Sequence, residues 1–230
     1  MKKTIKIGVG VIVIVVALAG LWMYHTHELY EKSYRSEYRY EITIDSDSAL
    51  YNVTLLVPLP IIDGRSRIGD EIIAGHASKP DGWSCSIVET KHGKMLKISA
   101  EKIPPGVRKR ISAVVDVGRD INTKNPIGSE PLLSPKYNLT LSTYDLPYPE
   151  GQSPPTCYEY ESRIYADFES PTDAEVSIYI EAEGENSWWV YGWSGNSYRD
   201  RVGITFTGEQ PGWHIASGKL VYGEGRYGWI

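Results

Sequence analysis

Three glutamates in alternation, Glu181, Glu183 and Glu185, are the residues whose types and spacing come nearest to chemistry. On a strand they project to one face, and two carboxylates set across a cleft are what glycoside hydrolysis requires. That separation is a tertiary quantity, and an acidic row on a strand serves equally as a solvated edge that discourages pairing with another sheet. The acids lack the Gly-spaced, Asp-rich loop of a calcium site. The histidines, His25, His27, His76, His92 and His214, are scattered. Neither cysteine has a second Cys or His at ligand spacing, so no metal is expected. G-x-S-x-G is missing, and Gly192-Trp193-Ser194-Gly195 reads as a strand end and turn, which removes the strained-turn serine nucleophile. Gly223-Glu224-Gly225 has no helix behind it to receive a phosphate. No catalytic residue and no cofactor follow from these patterns.

Binding chemistry has a clearer source. The chain carries 17 Tyr and 7 Trp against 2 Phe, a choice of amphipathic rings over the purely apolar one that suits half-buried strand faces and wet interfaces. The densest run is Trp188 to Trp193. Read as a strand over Ser187 to Trp193, it sends Trp189, Tyr191 and Trp193 to one side and Trp188, Val190 and Gly192 to the other. Either both faces are buried in an interior strand, or the first three rings form an exposed platform for sugars or a partner. Trp189, Tyr191 and Trp193 are therefore the candidate binding residues. Two sequons, Asn52-Val53-Thr54 and Asn138-Leu139-Thr140, make Asn52 and Asn138 candidate glycan acceptors.

The compartment is set by the first segment. Ile7 to Tyr24 contains no charged residue, and as a helix it covers roughly 27 Å, close to a hydrocarbon core of about 30 Å. Lys2, Lys3 and Lys6 precede it, whereas His25, His27 and Glu28 follow, which keeps the N-terminus cytoplasmic. Trp22 and Tyr24 fall at the exit interface. The rival is a signal peptide cleaved after Ala19, at Ala17-Leu18-Ala19, but the apolar run continues through Leu21, Trp22 and Met23. Both readings export the rest. The even pair Cys85 and Cys157 then predicts a disulfide, whose closure would stabilise the fold by about 4 kcal/mol. A formal charge of −5 and the lack of a basic stripe argue against nucleic acid as a partner.

The elements that must position these residues follow from periodicity. The expected division is a cytoplasmic tip and transmembrane helix over 1–24, a juxtamembrane stalk over 25–36 and an extracytoplasmic β domain over 37–230. Tyr38, Tyr40, Ile42 and Ile44 alternate with polar residues, Asp45 to Ser48 is turn chemistry, and Tyr51, Val53, Leu55 and Val57 alternate again, which predicts a hairpin. Further strands are predicted at Trp83–Thr90, Met95–Ala100, Ile111–Val117, Lys136–Leu141, Cys157–Phe168, Glu175–Ala182, Ser187–Trp193, Val202–Thr207 and Trp213–Tyr222. Many short strands without a long amphipathic helix indicate an all-β, antiparallel sandwich-like or barrel domain. A helical turn is expected near Gly69 to Ala74, and Gly118 to Pro135 reads as irregular loop. The Pro-rich stretch 146–155 is a candidate divide between two units, although a Cys85 to Cys157 bridge would favour one.

The strand pair EITIDSDSALYNVTLLVPLP, Glu41 to Pro60, and the loop NPIGSEPLLSP, Asn125 to Pro135, resemble segments of uncharacterised membrane-anchored surface proteins of archaea, methanogens above all. The resemblance implies a cell-surface setting and carries no catalytic residue across. The expected function is a non-catalytic surface module contacting an envelope polysaccharide, an S-layer component or another membrane protein; the alternative is an anchored hydrolase of a surface polymer. Alkaline carbonate extraction should leave the protein in the membrane. Release with a mature N-terminus at Gly20 would establish the cleaved form instead.

Overall fold

The computed structural model describes residues 2–106, 108–144 and 154–228. Helix α1 (Lys2–Ser33) leads into β1 (Arg35–Ser46), β2 (Leu50–Ile61), a short helix α2 (Arg67–Ile73), β3 (Ser84–Thr90), β4 (Gly93–Ile103), β5 (Lys109–Val117), β6 (Leu132–Ser134), β7 (Tyr137–Ser142), β8 (Thr156–Glu169), β9 (Glu175–Trp189), β10 (Trp193–Thr207) and β11 (Gly212–Gly225). The protein is all-β after its apolar N-terminal helix. One curled antiparallel sheet runs in the order β3-β4-β2-β8-β11-β10-β9-β1-β5, with β6 on β2 and β7 on β8. The alternation read from sequence is obeyed: Tyr38, Tyr40, Ile42 and Ile44 of β1 point inward, as do Val176, Ile178, Ile180 and Ala182 of β9. The candidate divide at 146–155 lies, except for its last two residues, outside the described residues.

The predicted β1–β2 hairpin does not form. β1 pairs with β5 and β9, and β2 with β4, β8 and β6. The turn chemistry is present, since Ser46 Oγ donates to the Ser48 carbonyl at 2.8 Å. Asp47, however, is tied to Glu175, whose N–H donates to its carboxylate at 3.0 Å, and the chain crosses to the facing half of the sheet. There the Tyr40 hydroxyl of β1 reaches the Pro58 carbonyl of β2 at 2.6 Å. Alternation fixes which side chains point inward and is satisfied equally by a neighbouring strand or an opposing one.

The ends of the strand order, β3 and β5, would be open edges. Helix α2 covers them: it packs against β5, β2, β3 and β1, buries Ile68 and Ile72, and is capped by Ser66, whose hydroxyl accepts the Gly69 N–H at 3.0 Å. Two backbone hydrogen bonds between Ser78 and Ser112, each 2.9 Å, extend the cover along β5. The seam is thus closed by a helix and one bridge.

β9 runs unbroken to Trp189, where the sequence predicted two strands separated at Glu183 to Asn186. The strand runs through Gly184, and packing explains that glycine. Its inner side is filled by the ring of Tyr198 from β10, and a Cβ there would meet Tyr198 Cε1 at 2.3 Å. Gly218 of β11 is covered likewise by Tyr160 of β8, also at 2.3 Å. Tyrosine is used inside because its hydroxyl has work to do: Tyr198 donates to the Pro131 carbonyl at 2.8 Å, Tyr160 to Asp200 Oδ1 at 2.5 Å, and Tyr38 to Glu130. Phenylalanine could fill the space and not satisfy these acceptors. Gly184→Ala and Gly218→Ala should each destabilise the full chain by about 1–3 kcal/mol through overpacking. Tyr198→Phe, which keeps the ring, should cost only about 1 kcal/mol. Urea unfolding in detergent measures all three.

Candidate functional site

The aromatic run is the tip of a hairpin. Trp189 closes β9 opposite Trp193, the first residue of β10, and the three residues between them turn the chain, with the Val190 N–H donating to the Gly192 carbonyl at 3.0 Å. Tyr191 sits in the left-handed region at φ 54°. The predicted strand over Ser187 to Trp193, with a row of rings along it, is therefore corrected: Trp189, Tyr191 and Trp193 crown a turn. They are exposed by 37%, 58% and 62%, whereas Trp188 is buried. The alternation had placed these three on one side, and they do share the tip, but the chain reverses between the first and the last.

Helix α1 docks onto this hairpin. From Gly10 to His25 every helix residue whose side chain is described is exposed, and Thr26 is the first to be buried. Past that point Tyr30 and Tyr34 pack on Trp188, at ring distances of 5.6 and 6.1 Å. Ser33 Oγ accepts the Trp189 N–H at 2.8 Å, Arg35 lies over the Trp193 ring at 4.8 Å, and the His25 and Tyr191 rings are 6.3 Å apart. The polar stretch expected as a stalk is thus docked helix up to Ser33, followed directly by β1.

Glu181, Glu183 and Glu185 share the outer face of β9, as their spacing predicts. β9 is flanked by β1 and β10, so they form no edge; they alternate across strands with arginines. Arg199 Nε is 2.9 Å from Glu183, Arg201 Nε 2.9 Å from Glu181, and Arg39 Nη1 3.7 Å from Glu183. Burial, and then the neighbouring Glu183 charge, raise the pKa of Glu185. Glu183, Glu185 and Glu224 border an open concavity of about 260 Å³ floored by Gly195 and Gly225. One oxygen of Glu224 accepts from the Tyr144 hydroxyl at 3.0 Å, and the other faces Arg199 at 3.5 Å. A second outer-face concavity, of about 560 Å³, is lined by Glu159, Tyr179, Arg201 and Lys219 over Gly203 and Gly218.

The predicted disulfide is not made: Cys85 and Cys157 are not bonded to each other. Cys85 of β3 pairs across to Ile98, Ile98 to Leu55, and Leu55 to Ala166 of β8, and Cys157 lies at the other end of β8, roughly 30 Å along the strand from Ala166. Cα atoms beyond about 7 Å cannot be bridged. An even cysteine count carries no information about register. His76, His92 and His214 each hold a separate partner, Glu71, Tyr137 and the Gln210 carbonyl, and no group of three ligating side chains exists among the described residues. Asn52 and Asn138 are exposed and sit at irregularities against β8 with φ of 52° and 55°. Asn tolerates that conformation, which gives both a structural role besides any glycan.

Sequence reasoning missed the buried charges. Asp200, on the inner face of β10, accepts from Tyr160, from the Leu133 N–H at 2.7 Å and from Lys136 Nζ at 2.5 Å. Burial draws the Lys136 pKa down, opposed by Asp200. Glu130 accepts from Arg119 at 2.9 and 2.8 Å, from the Asn122 N–H at 2.7 Å and from Tyr38. The available signal was an acid in the apolar register of a strand, Asp200 between Tyr198 and Val202. The chain matches no family model, no curated protein and no solved structure.

Burial alone would raise the Glu130 pKa, but Arg119, Tyr38 and the Asn122 N–H outweigh it and hold the carboxyl below the ordinary 4.5. A folded pKa below the unfolded one contributes stability that is present above the unfolded value and lost as pH falls through the folded one. Glu130→Gln should therefore flatten the acid limb of a stability-against-pH curve below 4.5. At neutral pH it should cost about 1–2 kcal/mol, the half-exposed Arg119 being screened. Urea unfolding across the acid range checks both.

Proposed function

We propose that this protein is a single-pass, membrane-anchored cell-surface module, N-terminus inside and β domain outside, that holds an envelope polysaccharide, an S-layer component or another membrane protein without catalysing a reaction. The observation that carries the reading is the helix: its apolar length is exposed up to His25 and becomes buried at Thr26, where it meets the β domain. An apolar helix left bare by its own domain needs a lipid phase to cover it. Lys2, Lys3 and Lys6 before it set the orientation, and the resemblance to archaeal surface proteins agrees with the setting. For the partner, the larger outer-face concavity offers Tyr179, Arg201, Lys219 and Glu159 around a glycine floor, an aromatic beside hydrogen-bonding groups of both signs that suits a polyhydroxylated polymer.

A second reading, an anchored hydrolase of a surface polymer, is favoured by one observation. Glu185, with its raised pKa, and the arginine-paired Glu183 border the same concavity, the kind of unlike pair that divides acid from base. The concavity is open to water, and binding is the better supported use.

Full-length protein in nanodiscs should bind purified envelope polysaccharide or S-layer protein, and Tyr179→Ala should weaken that binding at least severalfold with the melting temperature unchanged. Absence of binding to all such preparations would overturn the reading. Release of new reducing ends, lost in Glu185→Gln, would replace it with the hydrolase.

A further inference from the structure

We infer that the β9–β10 hairpin tip is a second membrane contact, with the Tyr191 ring seated in the lipid headgroup layer beside the exit of α1 and the Trp189 ring, 6.2 Å from it, at the outer margin of that layer. The inference rests on the anchor reading above and goes beyond it, because an anchor helix alone does not require the β domain to touch lipid. It also assigns the exposed rings an occupant other than the polymer.

The direction of the hairpin is fixed by two contacts. At its base the Trp189 N–H meets Ser33 Oγ, and at its tip the Tyr191 ring meets His25. Between Ser33 and His25 the helix rises about 12 Å, so the hairpin descends along α1 toward the membrane. His25 is one residue beyond the uncharged run, and Trp22, exposed like Tyr24, lies only about 4.5 Å further down the axis. A headgroup layer of about 5–7 Å on each side of the hydrocarbon core spans that interval. The Tyr191 ring therefore falls at the depth where Trp and Tyr rings partition, apolar body toward the chains and polar edge toward water.

Charge distribution gives a second, independent observation. From Ser187 to Tyr198 the chain carries no ionisable residue other than two tyrosines, so lowering the tip into the interface desolvates no formal charge of its own. The cations nearby are of the interfacial kind. Arg35 covers Trp193, Lys124 covers Tyr227 at 4.3 Å, and the Arg226 N–H donates to the Gly195 carbonyl two residues from Trp193. The opposite end of the same strands is acidic on balance, with Asp45, Asp47, Glu169, Asp173, Glu175 and Glu209 in or beside its connections against Arg108 and Lys109 at the start of β5. Phosphate-rich headgroups would repel that end and accept the aromatic one. An envelope polymer stacking on these rings would have to enter the gap between domain and bilayer, which the docked helix closes on one side.

Spin labels test the placement in the full chain, reconstituted in vesicles of phosphatidylcholine and phosphatidylglycerol. With Cys85→Ser and Cys157→Ala as background, single cysteines replace Ile14, Tyr191 or Asp173, and unchanged circular dichroism confirms the fold. Relaxation by a nickel chelate carried on lipid headgroups should be at least severalfold greater at position 191 than at 173, while position 14 should be rich in oxygen collisions and poor in those with a soluble chelate. If position 14 reads as membrane-buried but 191 matches 173, the hairpin contact is wrong and the anchor stands. If position 14 reads as aqueous, the anchor reading fails and takes the hairpin with it.

Discussion

A curled sheet has an inside to fill, and here the filling includes polar backbone; every other feature of the domain accommodates that. The segment between β5 and β7 passes along the concave side, burying Ile121, Thr123, Glu130 and Leu133. Each backbone group it takes out of water must be met by a partner on the sheet or lose a stabilisation of about 1–3 kcal/mol. The sheet supplies those partners from its inward positions. Asn186 acts almost as an added strand, accepting the Ile121 N–H at 3.0 Å and donating to the Ile121 carbonyl at 2.8 Å. Tyr198 takes the Pro131 carbonyl, Asp200 the Leu133 N–H, and Ser162 the Pro135 carbonyl at 2.7 Å.

This accommodation explains the composition. Inward tyrosines with hydroxyls far from their own strands reach the segment or the facing strand, and two of them need glycines opposite to lie flat against the sheet. Asp200 brings a formal charge into the same space, and Lys136, on the segment itself, neutralises it while also donating to the Leu133 carbonyl at 2.7 Å. Such a pair gains little over an apolar filling and costs heavily if one member is lost. It specifies where the segment must sit, since only one register puts the Leu133 N–H and the Lys136 ammonium on one carboxylate.

Apolar and charged surface is distributed between the two ends and the outer face. The interior is spent on holding the segment. The outer face of β8 to β11 carries glutamates and arginines paired across strands above shallow glycine floors. One end bears the apolar helix and the aromatic tip, the other the acidic connections. Under the proposed anchoring, that polarity along the strands would present the outer face at a set height.

What the sequence determined by itself is what depends on neighbours along the chain. The uncharged run from Ile7 to Tyr24 is long enough for a bilayer whatever follows it, and the alternation of Tyr38 to Ile44 or of Val176 to Ala182 fixes strand and inward face because the pleat has a period of two. The common face of Glu181, Glu183 and Glu185 was legible for the same reason. What tertiary structure alone decided depends on pairing between distant strands. Register put Cys85 and Cys157 too far apart to bond, set β1 against β5 and β9 in place of β2, and filled the space at Gly184 with a tyrosine ring so that β9 runs on through it. Trp188 to Trp193 became a hairpin only because Trp189 pairs with Trp193, and the tip gained its neighbour only because Ser33 of a helix 156 residues earlier meets it. Side-chain period is a local property of an extended backbone, whereas the partner across the strand is chosen by the whole sheet.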